Sequence, residues 1–149
     1  MADATPEKKV ISKGGCPCHK VRYTIEGPPK STWVCHCLSC RKASGSLMMA
    51  NSYIGVDQWR ITEGEEHIKS WLDYNTSSGN PFTSYFCGLC GGNLYTSSEE
   101  LEKEGAYVVQ SGTLDDPLEW KPQMEFWTCR RSSWMPAFEK TKKFERNPQ

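Results

Sequence analysis

Apolar and polar residues alternate along much of the chain in short runs, and turn residues interrupt them every few positions. The clearest run covers residues 20–26, where Val21, Tyr23 and Ile25 fall on one face and Lys20, Arg22, Thr24 and Glu26 on the other. A period of two is that of a half-buried β-strand. Gly27-Pro28-Pro29 ends it, since proline cannot donate to a ladder. The same reading places a strand from residues 10–12 to the Gly14-Gly15 turn, and others at 32–34, 47–56 and 59–62, the last turning at Glu63-Gly64. Residues 67–74 alternate with Ile68, Trp71 and Leu72 only partly in phase. Further strands fall at 82–86, 94–95, 107–110 and 124–128. Helix is scarce: one turn over residues 38–43, broken at Gly45, and a charged stretch at 99–105 that reads as short helix or loop. Residues 112–117 read as a turn. Many short strands punctuated by Gly and Pro predict a mainly β fold.

Composition adds that the core is thin. At 149 residues the chain is the length of one domain. Leu, Ile, Val and Phe together stay below the roughly 20% that warns of disorder. Net charge is zero, however, and six Trp and six Tyr supply large apolar bodies. The reading is a folded domain over residues 10–138, relying on aromatic packing and on a staple. A disordered leader (1–9) precedes it and a charged, solvated tail (139–149) follows. Eighteen basic and eighteen acidic residues balance, so nothing draws the chain globally to nucleic acid or an acidic membrane. No run approaches the roughly 18 apolar residues of a membrane span.

The staple is cysteine. The polar N-terminus lacks the apolar stretch of a signal peptide, which places the chain in the cytosol or nucleus. Thiols stay reduced there, and clustered cysteines read as metal ligands before disulfides. Seven of the eight fall into three clusters: Cys16-x-Cys18, Cys35-x-Cys37-x-x-Cys40 and Cys87-x-x-Cys90. Cys129 stands alone and reads as a small buried residue. Cys87-x-x-Cys90-Gly91 has the shape of a zinc knuckle, whose backbone N–H groups point at the thiolates while Gly permits the tight turn. Seven thiols do not divide into two sets of four. If Cys16, Cys18, Cys87 and Cys90 close one site, the other keeps three; Cys35 and Cys37 could instead join Cys87 and Cys90. A four-ligand zinc would be structural, and in small peptides such a site contributes about 10–16 kcal/mol. A three-ligand zinc leaves a coordination position for a substrate. Three thiolates make the metal a weak Lewis acid, better suited to a soft thiolate than to activating water. In an extended Cys-x-Cys turn His36 points away from its neighbours, which favours a supporting donor or a surface residue over a fourth ligand.

With these residues in view, the chain resembles the glutathione-dependent formaldehyde-activating enzyme family, also called the CENP-V/GFA domain. The likeness runs over about residues 14–138. It is carried by Gly15-Cys16-Pro17-Cys18, Cys35-His36-Cys37-Leu38-Ser39-Cys40-Arg41-Lys42, Ala43-Ser44-Gly45, Phe86-Cys87-Gly88-Leu89-Cys90-Gly91 and Gly112-Thr113-Leu114-Asp115-Asp116-Pro117. The resemblance implies an Mss4-like fold of several small antiparallel β-sheets stapled by two zinc ions. It implies a structural zinc on Cys16, Cys18, Cys87 and Cys90, and a catalytic zinc on Cys35, Cys37 and Cys40. The activity it implies is that of a carbon–sulfur lyase on adducts such as S-(hydroxymethyl)glutathione, with glutathione as co-substrate and a small-molecule thiol as partner. Cys129 is outside the family cysteine set.

Several side chains remain to be placed. His36 is the nearest candidate to move the hydroxyl proton, and Arg41 and Lys42 are candidates for the carboxylates of a glutathione-like ligand. Trp33, Trp59 and Trp71 are read as core, Trp127 and Trp134 as candidates for a pocket wall, and Asp115-Asp116 as turn chemistry beside Pro117. Two other readings compete: a non-catalytic zinc module for protein contacts, which a fourth protein ligand on the second zinc would favour, and an enzyme shifted to another sulfur-containing metabolite. A redox role for Cys87-x-x-Cys90 is a third.

Overall fold

A computed structural model describes residues 10–117 and 119–148, so the leader expected over residues 1–9 lies outside the described residues. Two sheets account for the strands. Ile11–Gly15 (β1), Arg22–Glu26 (β2) and Trp59–Glu63 (β5) form a three-stranded antiparallel sheet in the order β1-β2-β5. The larger sheet has eight strands in the order β11-β10-β3-β4-β9-β8-β7-β6. Its members are Ser31–Cys35 (β3), Met49–Gly55 (β4), Ile68–Asp73 (β6), Phe82–Cys87 (β7), Asn93–Ser97 (β8), Ala106–Gln110 (β9), Met124–Phe126 (β10) and Lys142–Lys143 (β11). Pairing is antiparallel except at β10, which runs parallel to both β3 and β11. The fold is therefore mainly β, with one mixed sheet among the antiparallel pairings.

The alternation read at residues 20–26 sets the main core. Val21, Tyr23 and Ile25 are buried together with Ile54, Trp59, Leu94 and Val109. Aromatic rings do much of the filling. Tyr23 lies 4.2 Å from Trp59, Trp59 5.3 Å from Tyr95, and Tyr95 stacks on Tyr85 at 4.4 Å. Such pairs add roughly 0.5–1.5 kcal/mol beyond their buried area. Cys16 and Cys87 sit in the same core, so the first cysteine pair and the knuckle meet across it.

Two short helices punctuate the strands. Leu38–Ser44 (α1) begins at Cys37, whose Sγ accepts from Cys40 N at 3.3 Å, and stops at left-handed Gly45 (φ 63°). Glu99–Glu104 (α2) is capped by Ser98, whose hydroxyl accepts from Leu101 N, and buries Leu101. The charged stretch at 99–105 thus resolves as helix. No helix among the described residues is long and apolar enough to cross a membrane.

Two expectations are corrected and a third gains a detail. Trp71, read as core, is 58% exposed, because edge strand β6 turns it into solvent. Cys129 is exposed on a short 3-10 turn, Thr128–Arg130, rather than buried. The segment after residue 138 keeps its charged side chains in water but its backbone is paired: β11 extends the sheet, Phe144 N donates to Glu125 O at 2.9 Å, and Trp127 N donates to Arg146 O. Charge decides where side chains point, and a strand can dock through its backbone with every Lys exposed. Asp115 does more than turn the chain, since its carboxylate takes both guanidinium nitrogens of Arg22.

Candidate metal centre and cleft

The sulfurs of Cys16, Cys18, Cys87 and Cys90 lie within 4.8 Å of one another. Cys16 Sγ is 3.5 Å from Cys18 Sγ, and Cys18 Sγ is 3.8 Å from Cys87 Sγ. Four thiolates at about 2.3 Å from a tetrahedral zinc would stand about 3.8 Å apart, so the spacing fits a metal of that size. The local chain explains the gathering. Val21 N donates to Cys16 Sγ at 3.3 Å, and His19 takes a left-handed conformation (φ 61°) to turn the chain back. In the knuckle, Gly91 (φ 75°) donates to Cys87 O. The Gly92 N–H holds the Cys90 thiol down to about 6. Gly92 also abuts the first turn, where an added Cβ would lie 2.3 Å from Pro17 Cδ. All eight cysteines are free thiols.

The second set is Cys35, Cys37 and Cys40, whose sulfurs also lie within 4.8 Å of one another. Among the described residues no fourth His, Cys, Asp or Glu ligand atom joins them. The end of β3 supplies Cys35, the helix cap supplies Cys37, and the first turn of α1 supplies Cys40. The Cys35 and Cys40 thiols donate to Cys37 and hold it down to about 3, while Cys35 is pushed up to about 12, chiefly by Cys37. A dication would take all three as thiolates. The donor set suits a soft metal such as zinc.

Aromatic side chains wall this cluster. Trp127 is buried against Cys35 and Cys37, with Trp33 and Phe126 beside them. Trp33 stacks on Phe126 at 5.3 Å. Trp127 has a left-handed backbone (φ 58°), uncommon for a bulky residue. Its Nε1 donates to Asn147 Oδ1 at 2.7 Å, and the guanidinium groups of Arg130 and Arg146 lie 5.5 and 5.3 Å from its ring. Of the two pocket-wall candidates, Trp127 is in place and Trp134, 73% exposed, is not.

His36 is fully buried, which excludes the surface reading. Its backbone N–H donates to Phe126 O at 3.1 Å. Its Nε2 meets Glu125 Oε1 at 2.9 Å, while Nδ1 has no hydrogen-bond partner. Burial raises the Glu125 pKa, but hydrogen bonds from Arg131 (2.8 Å) and His36 outweigh it and hold the carboxyl below its ordinary value. An ionised carboxylate only accepts, so His36 Nε2 donates. Strand alternation sends His36 behind the cluster, and it does not line the cleft; the proton-moving role suggested by its place in the sequence has no geometric support. Glu125 is the residue that sequence reasoning missed. A charged side chain inside the apolar run Met124-Glu125-Phe126-Trp127, six residues before Arg131, was the available signal.

The three sulfurs open onto a cleft of about 1170 Å³ that runs past Trp33, Tyr53 and Phe82 to Trp71 and Asp73. Lys42 lines it. Arg41 lines only a neighbouring depression of about 250 Å³, which shares Leu38 and Lys42 with the cleft, so the structure brings only one of the two expected cations to the cleft.

The class so defined is a mainly β, thiol-rich protein with two gathered cysteine sets that could each hold a metal ion, one of them opening on a cleft. The chain matches the family described as glutathione-dependent formaldehyde-activating enzyme over residues 11–130, and it belongs to that family. A crystal structure of a protein from Rhodobacter sphaeroides is similar in fold. It has a TM-score of 0.53 and 19% identity over 69% of this chain and 87% of that one. Comparison with curated proteins returns no significant match.

Proposed function

We propose that the protein is a zinc-dependent carbon–sulfur lyase acting on a thiol adduct, S-(hydroxymethyl)glutathione or a related sulfur-containing metabolite. The observation that carries this reading is the three-sulfur set of Cys35, Cys37 and Cys40, without a fourth protein ligand among the described residues, at one end of the cleft. Family membership supports it. In the same reading Cys16, Cys18, Cys87 and Cys90 hold a structural zinc, and the partner is a small-molecule thiol.

In the cleavage direction the carbon–sulfur electron pair leaves with sulfur, the hydroxyl proton ends on the thiol, and the aldehyde departs. Zinc bound at Cys35, Cys37 and Cys40 would stabilise the departing thiolate. The chain's own residues prepare that event. Trp33, Phe126 and Trp127 exclude water from one side of the sulfurs, which strengthens electrostatic interactions there. Lys42 places a positive charge on the cleft wall, where it favours an anion. The His36–Glu125 bond ties the Cys35–Cys37 turn to β10 and fixes the sulfurs' directions, as supporting partners commonly do at metal sites.

The test is exchange NMR of formaldehyde with glutathione and with other small thiols, with and without zinc-loaded protein. Acceleration that disappears in the Cys37→Ser variant, whose remaining four-cysteine site still holds metal, supports the reading. Absence of acceleration for every thiol at micromolar protein overturns it.

A further inference from the structure

Among the described residues lining the cleft, Lys42 is the only cation, while Asp73, Glu100 and Glu104 supply three carboxylates. The charges are also separated in space. Lys42 belongs to α1, beside the sulfurs. Trp33 packs both on the sulfur cluster and on a second cluster with Leu101, Val108, Tyr53 and Phe82, and so marks the middle of the cleft. Beyond it Phe82 pairs with Asp73, and the Leu101 that Phe82 packs against lies on α2 between Glu100 and Glu104. The far end is therefore where the carboxylates gather.

None of these carboxylates is neutralised by a cation among the described residues. Asp73 is only 9% exposed and accepts Asn75 N at 2.9 Å. Glu104 accepts the Tyr53 hydroxyl. A second feature points to a ligand at the same end: Trp71, two residues before Asp73, lines the cleft and leaves more than half its surface in solvent. An open indole face beside carboxylates is the chemistry that recognises organic cations. Glutathione brings two carboxylates and one ammonium, and the far end would repel its acids.

We infer that this cleft selects a thiol adduct whose end remote from sulfur is positively charged, with Trp71, Asp73, Glu100 and Glu104 as the specificity-determining residues. The inference rests on the reading of Cys35, Cys37 and Cys40 as the reacting end. A simple aminothiol such as cysteamine has the required charge, as does any longer thiol ending in an amine, guanidinium or quaternary ammonium group. Lys42 then serves the sulfur end, where negative charge collects as the bond breaks.

Two measurements separate the charge preference from the chemistry. Binding of cysteamine, N-acetylcysteamine and 3-mercaptopropionate to zinc-loaded protein is followed by tryptophan fluorescence, with Trp71→Phe identifying the reporting ring. Cleavage of the hydroxymethyl adducts of the same three thiols and of glutathione is followed by NMR. The expected result is tighter binding of cysteamine than of 3-mercaptopropionate by at least about fivefold, shrinking with added salt as screening requires. The exposed pair Glu100→Gln/Glu104→Gln should reduce that ratio severalfold without loss of thermal stability. Equal or tighter binding of 3-mercaptopropionate, or a ratio untouched by the double substitution, overturns the inference. If the thiols bind in the expected order but no adduct is cleaved, the lyase reading falls and the charge preference stands. If the glutathione adduct is cleaved best, the lyase reading stands and the charge preference falls.

Discussion

The imidazole of His36 and the carboxylate of Glu125, 89 residues apart in the chain, meet at 2.9 Å with no solvent-exposed surface on either. The bond joins the loop that carries two cysteines of the open cluster to the strand that carries Phe126 and leads to Trp127. Removing the Glu125 carboxylate strands both groups that donate to it, the buried His36 Nε2–H and the Arg131 guanidinium. Glu125→Ala is expected to cost about 3–5 kcal/mol in denaturant unfolding. His36→Ala added to it should cost much less than it does alone, a coupling that a double-mutant cycle reads directly.

Trp127 sets the second expectation. Trp127→Ala removes a buried ring packed on Cys35 and Cys37 and should destabilise by about 3–5 kcal/mol. It should also uncover the sulfurs. In metal-free protein, alkylation of Cys35 and Cys37 followed by mass spectrometry should run faster in the variant, while labelling of Cys90, already exposed, stays the same.

Metal content should distinguish the two cysteine sets. Protein purified without chelator is expected to carry about two zinc per chain, and Cys37→Ser about one, with far-UV circular dichroism unchanged. Cys87→Ser removes a ligand buried in the main core and should unfold the chain, because zinc binding and folding are linked at such a site. Gly92→Ala should weaken the four-cysteine site while keeping every ligand. Its Cβ would collide with Pro17 Cδ and push the two turns apart. A chelator competition followed by absorbance reads that loss.

The Arg22–Asp115 pair gives a pH dependence whose sign is fixed. The Arg22 guanidinium holds the Asp115 carboxyl below its ordinary value. A carboxylate depressed in the folded state adds stability above its unfolded pKa, about 3.9, and that stability is lost as pH falls through the lower folded value. The melting-temperature difference between the parent protein and Asp115→Asn should thus be constant near neutrality and close below about pH 4. Comparing the two proteins cancels any metal loss common to both. The carboxylate is 46% exposed, so the effect stays below about 1 kcal/mol.

Much of this could be read from residue order alone. Val21, Tyr23 and Ile25 announced a strand because burial on one face imposes a period of two, and the structure buries all three. Cys87-x-x-Cys90-Gly91 announced a knuckle because its geometry is local. What stayed hidden depends on contacts between distant segments. Trp71 has the composition of a core residue, and only the sheet order shows that β6 is an edge. Arg41 and Lys42 are adjacent, yet only Lys42 reaches the cleft, while Arg41 is confined to the smaller hollow that both line. The partner that makes His36 a buried anchor is written on β10, and nothing near His36 names it.

The left-handed turn at Trp127 and its ties to Arg146 and Asn147 bear on the order of assembly during synthesis. All seven clustered cysteines have been translated by residue 90, whereas the ring that walls the open set and the segment that holds that ring follow some 40 to 60 residues later. A nascent chain can therefore capture metal while the sulfurs of Cys35, Cys37 and Cys40 still face water. In that interval any soft metal or small thiol in solution can reach them, before the late segment covers one side of the set.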